Sequence, residues 1–495
     1  MNVHIMIESL STLPETEQKP VKVWNWIVPL VLIAVALGIG VALTVNAAGI
    51  LALAAIVGLL LVLGTLTNPD LGLMMFIMVI YVNLSSVLIS NYGLPSIAKP
   101  LVVLMGVLIV IRGALFRDEY RGWILPAILL GLYSFLGSIT LAYASDFALA
   151  FNTLIDYLKD AVIAIIIIML IQRPSSLRRA VWALLLTGLF MGTLSVFQQL
   201  TGSFGNDFFG FARVNSSSTT GTRLAGPIGD PNFYAQIMVL LIPLAIDRAW
   251  NEKKLVLKAL AGWAFFVITL TVVFTYSRGA FLALVAALIF MAVKRPPRLP
   301  AALLGLAAGL LIFQFVPVTY RERITTLVAF LPGNGTNGYV DPSVQGRTSE
   351  NIVAWNMFLD NPILGVGLGN YNAYYEQYSR KLGIDPRREG RSAHNLYLEI
   401  AAERGIFGLL LFASIVVLTL VQTFKAEKLF KELGNISMAD LSALLGISIL
   451  TYLITAIFLH DAFPRFFWVI VGLAWSAPQC ARYASRIAKS KLAKT

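Results

Sequence analysis

His394 stands in Arg391-Ser-Ala-His-Asn-Leu-Tyr-Leu-Glu-Ile-Ala-Ala-Glu-Arg-Gly405, where the longest polar interval of the chain gives way to an apolar segment. It is one of three histidines. His4 lies in a polar N-terminal tail, and His460 sits at the mouth of a later apolar segment. An imidazole titrates near neutrality, so at such a junction it is a candidate proton acceptor; the other reading is a helix-start residue that caps its helix. His460, followed by Asp461 and Arg465, is the rival base. Asn395, Glu399 and Glu403 follow at i, i+4 spacing, and Asn395 and Glu399 are expected as supporting residues, with Glu399 able to orient the ring only if the turn is irregular.

Three arginines supply a second chemistry. Arg223 precedes Asp230-Pro-Asn232, which reads as a helix start with Asp230 as N-cap and proline in the first turn; Asn232 is kept as a supporting residue. Capping accounts for Asp230 and leaves Arg223 without a structural reason. Arg278 occupies the turn Tyr276-Ser-Arg-Gly279 between two apolar runs with almost no water-exposed linker. A guanidinium at that depth calls for an anionic partner. The partner is either headgroup phosphate reached by snorkelling or a bound phosphate, since a planar five-donor fork suits diphosphate oxygens. Arg347, in Gln345-Gly-Arg-Thr-Ser349, is a third member whose other reading is a pair with Glu350. The carboxylates of Asp341, Asp360, Asp385 and Glu389 are scattered and no Asp-x-Asp motif occurs, so neither a metal nor another cofactor is expected. Gly365-Val-Gly-Leu-Gly369 has no strand before it and is expected to be a flexible turn rather than a dinucleotide loop.

The elements that must carry these residues are membrane helices. Hydrophobic residues make up 58% of the chain and charged residues 13%, with a mean hydropathy of +0.77, outside the range of water-soluble domains. Cys480 is the single cysteine, which removes disulfide frameworks and thiolate clusters. Glu8, Glu15, Glu17 and Lys19 precede the first apolar run without a basic n-region, so no removable signal peptide is expected. The fold class is an all-α polytopic membrane protein. Runs able to cross the hydrocarbon lie near 24–45, 48–66, 71–90, 97–112, 123–143, 154–172, 177–200, 232–249, 256–275, 278–294, 299–318, 405–424, 439–459 and 462–480, about fourteen crossings.

The net charge of +12 does not indicate nucleic acid, because the basic residues gather in short connections. Arg112, Arg117 and Arg121; Arg173, Arg178 and Arg179; Arg248, Lys253, Lys254 and Lys258; Lys294, Arg295 and Arg298; and Lys425, Lys428 and Lys431 all fall on one side when both termini are cytoplasmic, as the positive-inside rule requires. The expected division is a cytoplasmic tail at 1–22, helices over 23–318, an outward loop domain at 319–393, a helix start and three further crossings over 394–481, and a basic cytoplasmic tail at 482–495. The loop holds the turn-rich Pro332–Gly338 and then an amphipathic stretch in which Ile352, Trp355, Phe358 and Leu359 share one helical face, expected to lie in the membrane interface. A loop of that length carries function more often than it merely connects.

The segments around Arg223 (Arg-Leu-Ala-Gly-Pro-Ile-Gly-Asp-Pro-Asn) and Arg278 (Tyr-Ser-Arg-Gly-Ala-Phe-Leu-Ala-Leu), then Asn361-Pro-Ile-Leu-Gly-Val-Gly-Leu-Gly369, Ala393-His-Asn-Leu-Tyr-Leu-Glu and Arg404-Gly-Ile-Phe-Gly408, resemble in content and order the O-antigen ligase and O-antigen polymerase superfamily. The resemblance spans roughly 200 to 410 by motif. It implies an inverting, metal-independent glycosyltransferase at the periplasmic face of the bacterial inner membrane, with an undecaprenyl-diphosphate-linked glycan as donor, a glycan or glycolipid hydroxyl as acceptor, and membrane lipids as surroundings. It further implies that Arg223 and Arg278 neutralise the diphosphate and that His394 takes the acceptor proton. The family's ligases typically have twelve helices, so 24–66 reads as an addition. Ligase-like transfer is favoured, a polymerase of the same family is the alternative, and a transporter is the reading from another class. A transporter would carry ionisable residues at mid-span, whereas here they gather at the rim.

Overall fold

The computed structural model describes residues 64–65, 68–115, 119–217, 221–296, 299, 303, 342–384, 391–460 and 465–492. The expected spans 24–45, 48–66 and 299–318 lie wholly or almost wholly outside these residues, as do 319–341 of the loop. The elements are α1 Pro69–Tyr81, α2 Leu84–Tyr92, α3 Ala98–Leu115, α4 Ile124–Thr140, α5 Phe147–Leu170, α6 Pro174–Thr201, a hairpin of β1 Arg213–Ser217 and β2 Gly221–Gly226, then α7 Pro231–Val239, α8 Ile242–Asn251, α9 Leu255–Phe274, α10 Arg278–Lys294, α11 Pro342–Asp360, α12 Tyr371–Leu382, α13 Leu396–Glu432, α14 Ile436–Thr455 and α15 Arg465–Leu492. Among the described residues six helical spans are long and apolar enough to cross a membrane, and α1 with α2 make a seventh if counted as one span bent by 50°. The chain is mostly helical and consistent with a polytopic membrane protein.

Local sequence explains where these helices begin. Asn68 caps α1 by accepting from the Asp70 amide at 3.1 Å, Asp146 caps α5 through the Leu149 amide at 2.9 Å, and Pro69, Pro174 and Pro231 stand in first turns. The bend between α1 and α2 falls at Asn83, whose φ is +58° and whose side-chain amide donates to the Pro227 carbonyl at 3.2 Å. α15 runs through the centre of the bundle, where Trp468 packs edge-on to Tyr157 and Phe467 stacks on Tyr452 at 4.7 Å.

The two ends of the bundle differ in character. At one end, where α6, α9 and α14 begin and α8 and α10 finish, buried Arg248 pairs with Asp247 and Glu252, Arg178 and Trp182 both donate to Glu252 at 2.9 Å, and Lys294 and Lys431 share Glu427. At the other end the α4–α5 turn meets the 361–370 loop: the Tyr143 hydroxyl donates to the Leu364 carbonyl at 2.9 Å and the Asp146 amide to Asn370 Oδ1 at 2.7 Å. Helix lengths of 17 to 20 residues separate these ends, roughly a bilayer core's thickness.

α13 starts at Leu396, close to the helix start expected at 394, and its first segment, which carries Glu399, Glu403 and Arg404, is joined to the apolar run at Gly405, where φ is +61° and ψ −162°. Loop 361–370 seals this break. The Val366 amide donates to the Ala402 carbonyl at 2.8 Å, Gly367 to Glu403 at 3.1 Å, and Ile406 to the Pro362 carbonyl at 2.8 Å. The Glu403 carboxylate accepts from the Gly369 and Tyr371 amides at 2.8 and 3.1 Å. Gly365-Val-Gly-Leu-Gly369 is therefore a docking loop, not the flexible turn expected. A Cβ on Gly365 would lie 2.3 Å from the Glu403 carbonyl carbon, and one on Gly405 would lie 2.3 Å from the Ile363 backbone. α11 and α12 pack on the same surface, with Val353, Ala354, Met357, Tyr371, Tyr375, Ala393 and Ala402 sharing a core. The opposite face of α11 carries Ile352, Trp355 and Leu359 at 41, 49 and 54% exposure, so the apolar face expected from the sequence points outward.

Gly405→Ala meets backbone at a positive φ and is expected to cost more than about 2 kcal/mol. Gly131→Ala, in α4 with nothing within 4 Å of its added methyl, is expected to be neutral or to gain up to about 1 kcal/mol. Unfolding midpoints in detergent check the pair; equal midpoints would refute the docking role of the break.

Candidate functional site

Arg223, Arg278 and Arg347 line one pocket together with Asn232, Tyr276, Ser277, Gly279, Ala280, Thr455, Phe458 and Leu459. They come from β2, the first residue of α10 and α11, three segments spread over 125 residues of sequence. Arg223 is held in place by neutral acceptors: its Nε donates to the Thr275 carbonyl at 2.8 Å and its Nη2 to Asn232 Oδ1 at 3.0 Å. Asp230 caps α7 by accepting from the Asn232 and Phe233 amides at 2.7 and 3.0 Å, the structural role expected for it, and so fixes Asn232 beside Arg223.

The turn that presents Arg278 is strained. Tyr276 has a φ of +52°, uncommon for a bulky residue, and this reversal brings Ser277 to the N-cap of α10. The first amides of α10 thus belong to residues of the pocket wall, and a helix N-terminus favours an anion through its unsatisfied N–H groups and its dipole. Three guanidinium groups and a helix N-terminus thus meet around one concavity, an arrangement suited to an anion.

The two candidate bases lie together beside this pocket. The His394 and His460 rings meet edge to face, 4.6 Å between centroids and 68° between planes; His460 directly follows Leu459 of the pocket wall. His394 is not a cap. Asn395 is, accepting from the Tyr397 and Leu398 amides at 3.1 and 3.2 Å, while His394 sits outside the helix with φ +45°. His394 Nδ1 lies 2.8 Å from Glu350 Oε2 and 3.1 Å from the Ser392 carbonyl. A carboxylate and a carbonyl only accept, so Nδ1 carries the proton and donates, and in the neutral ring the lone pair is on Nε2.

The carboxylate on His394 is that of Glu350 in α11, 44 residues upstream, not the Glu399 that the sequence suggests as support, where Glu350 reads only as a partner for Arg347. Glu399 lies one turn into α13, within electrostatic reach of Tyr371 and Tyr133. Nothing in the local spacing marks Glu350, since the pair forms only when α11 packs against the start of α13. Among the described residues no three His, Cys, Asp or Glu side chains form a metal-binding group.

His460 is a poor base. Burial, with His394 and Arg347 adding positive charge, pushes it down from 6.5 to about 4, against the opposing pull of Asp230. A ring neutral in the fold but protonated when unfolded makes stability fall as pH drops from about 6.5 to about 4. His460→Gln is expected to remove that component, which the difference between the two variants' unfolding midpoints across this range measures. Identical pH dependences would contradict a neutral, half-buried His460.

Residues 263–413 match the O-antigen ligase family. The match takes in Arg278, Arg347, Glu350 and His394 and leaves out Arg223 and His460. The chain is also similar to the teichuronic acid biosynthesis protein TuaE of Bacillus subtilis (strain 168), 26% identical over 259 residues, 51% of this chain and 51% of that protein; it spans about half the length of this curated relative. The match at residues 263–413 is in keeping with the resemblance that the chain's ordered motifs show to the O-antigen ligase and polymerase superfamily.

Proposed function

We propose that this protein is an O-antigen ligase-like membrane glycosyltransferase that moves a glycan from undecaprenyl diphosphate to an acceptor sugar hydroxyl. The observation that carries this reading is the convergence of Arg223, Arg278 and Arg347 on one pocket at the N-terminus of α10, with the His394–His460 pair beside it. The leaving group is a dianionic to trianionic diphosphate, and guanidinium forks with helix amides stabilise the charge that develops on it.

In the proposed reaction the acceptor hydroxyl oxygen attacks the anomeric carbon, its proton passes to His394 Nε2, and the anomeric carbon–oxygen bond breaks with its electron pair going to the diphosphate. A single displacement of this kind inverts the anomeric centre. The arginines do the work that a divalent ion does in many diphosphate sites. His394 is preferred to His460 as the base because a base whose conjugate acid titrates near 4 takes up a hydroxyl proton poorly.

The site lies at the end of the bundle opposite the Arg178, Arg248, Lys294 and Lys431 ion pairs. Under the positive-inside rule this end faces outward, which supports a periplasmic site in the inner membrane with both termini cytoplasmic. A polymerase acting on the same donor would share the pocket and the base. Similarity to a protein named for teichuronic acid biosynthesis supports polysaccharide assembly in either case.

The test is transfer by purified protein in detergent, with undecaprenyl-diphosphate-linked glycan and a panel of lipid-core and free-glycan acceptors. His394→Ala is expected to lower the rate by about 100-fold or more, and Arg278→Lys, which keeps charge and loses the fork, by about 10-fold or more. Full transfer by His394→Ala would overturn the base assignment, and unaltered Arg278→Lys kinetics would return Arg278 to the snorkelling role. The acceptor that turns over separates ligase from polymerase.

A further inference from the structure

Glu350 is a carboxylate only 2% exposed, in a helix that otherwise meets the bundle through Val353, Ala354 and Met357. Two contacts fix it. Its backbone carbonyl accepts from the Tyr371 hydroxyl at 2.7 Å, and its side chain accepts from His394 Nδ1 at 2.8 Å. Tyr371 is itself tied by its amide to Glu403 beside the Gly405 break, so the position of Glu350 is set by the same docking that seals α13.

His394 is constrained from the other side as well. Its φ of +45° is one that L side chains rarely adopt, and it persists because Asn395 caps the helix and the Leu396 amide donates to the Ala456 carbonyl at 3.0 Å. The titratable groups in contact with the ring are Glu350 from α11 and His460, and Arg347 from α11 and Asp230 at the start of α7 act electrostatically on His460. Arg347 and Glu350 are three residues apart on α11 and therefore share a face.

We infer that Glu350 is a positioning residue for transfer: it holds His394 as the Nδ1–H tautomer with the lone pair on Nε2, and it balances the imidazolium formed when the acceptor proton arrives. With Arg347 one turn away on the same helix face, α11 registers the base against the diphosphate pocket. This rests on the reading of His394 as the base. Glu350 acts through His394 and not on the substrate.

The three histidines make the tautomer directly readable. The full-length protein in detergent, labelled with 15N-histidine and assigned with His394→Gln, is expected to show His394 as Nδ1–H, shifting toward Nε2–H in Glu350→Ala while His460 keeps its signals. In the transfer assay with undecaprenyl-diphosphate-linked glycan, Glu350→Ala is expected to lower kcat about 100-fold with the donor KM within about threefold, and to cost less than about threefold when added to His394→Ala. Should Glu350→Ala fail to fold, Glu350→Gln keeps the shape and an acceptor for Nδ1–H; it is expected to retain the tautomer and lower kcat about 10-fold. An unchanged tautomer in Glu350→Ala, wild-type kcat in Glu350→Gln, or an undiminished loss on the His394→Ala background would overturn the inference. Loss of transfer in His394→Ala with wild-type kcat in Glu350→Ala sinks this inference alone, whereas full transfer in His394→Ala sinks the base reading beneath it.

Discussion

Backbone that leaves a helix beside a bilayer must find its hydrogen bonds within the protein, because the hydrocarbon offers none. The break at Gly405 is where this constraint shapes the molecule. Loop 361–370 answers it by lending backbone groups to residues 402–406, and Glu403 returns its carboxylate to the loop. Once that contact exists, α11 and α12 have one place to pack, Glu350 meets His394, and Arg347 reaches the pocket rim.

The site that results combines strain with charge. Tyr276 and His394, the residues that turn the chain before α10 and α13, both occupy the left-handed region; the first stands two residues before Arg278 and the second is the proposed base itself. Three guanidinium groups around one concavity repel one another, a cost that a bound anion would offset. The Thr275 carbonyl and Asn232 Oδ1 accept from Arg223 and hold its fork in place. Preorganised cations of this kind suit a leaving group whose charge grows during the reaction.

The sequence exposed those parts of the site whose reasons are local. Asp230 is legible as a cap because the cap and its amides are two and three residues apart. Arg223 and Arg278 are conspicuous because arginine at a membrane-helix junction is expensive, whatever it contacts. Glu350 was not legible as the partner of His394, because a pair 44 residues apart exists only through the packing of α11; Glu399 drew attention because i, i+4 spacing is visible in a string of letters. The glycines at 365, 367 and 369 read as flexibility for the same reason: the backbone that Gly365 approaches belongs to residues 402–404. The helix start near 394 and the crossing from about 405 were both legible, whereas the break at Gly405 between them was not, because the loop that seals it lies about 40 residues upstream.

The proposed function requires that the pocket of Arg223, Arg278 and Arg347 take a diphosphate in preference to a monophosphate. Isothermal titration of the full-length protein in detergent with farnesyl diphosphate and with farnesyl phosphate tests it without any assumption about the acceptor. The diphosphate is expected to bind at least about 10-fold tighter, and Arg223→Gln, Arg278→Gln and Arg347→Gln are each expected to erode that preference, since each removes a charged fork from the second phosphate or the first. Equal affinity for the two lipids, or a preference untouched by all three substitutions, would contradict it.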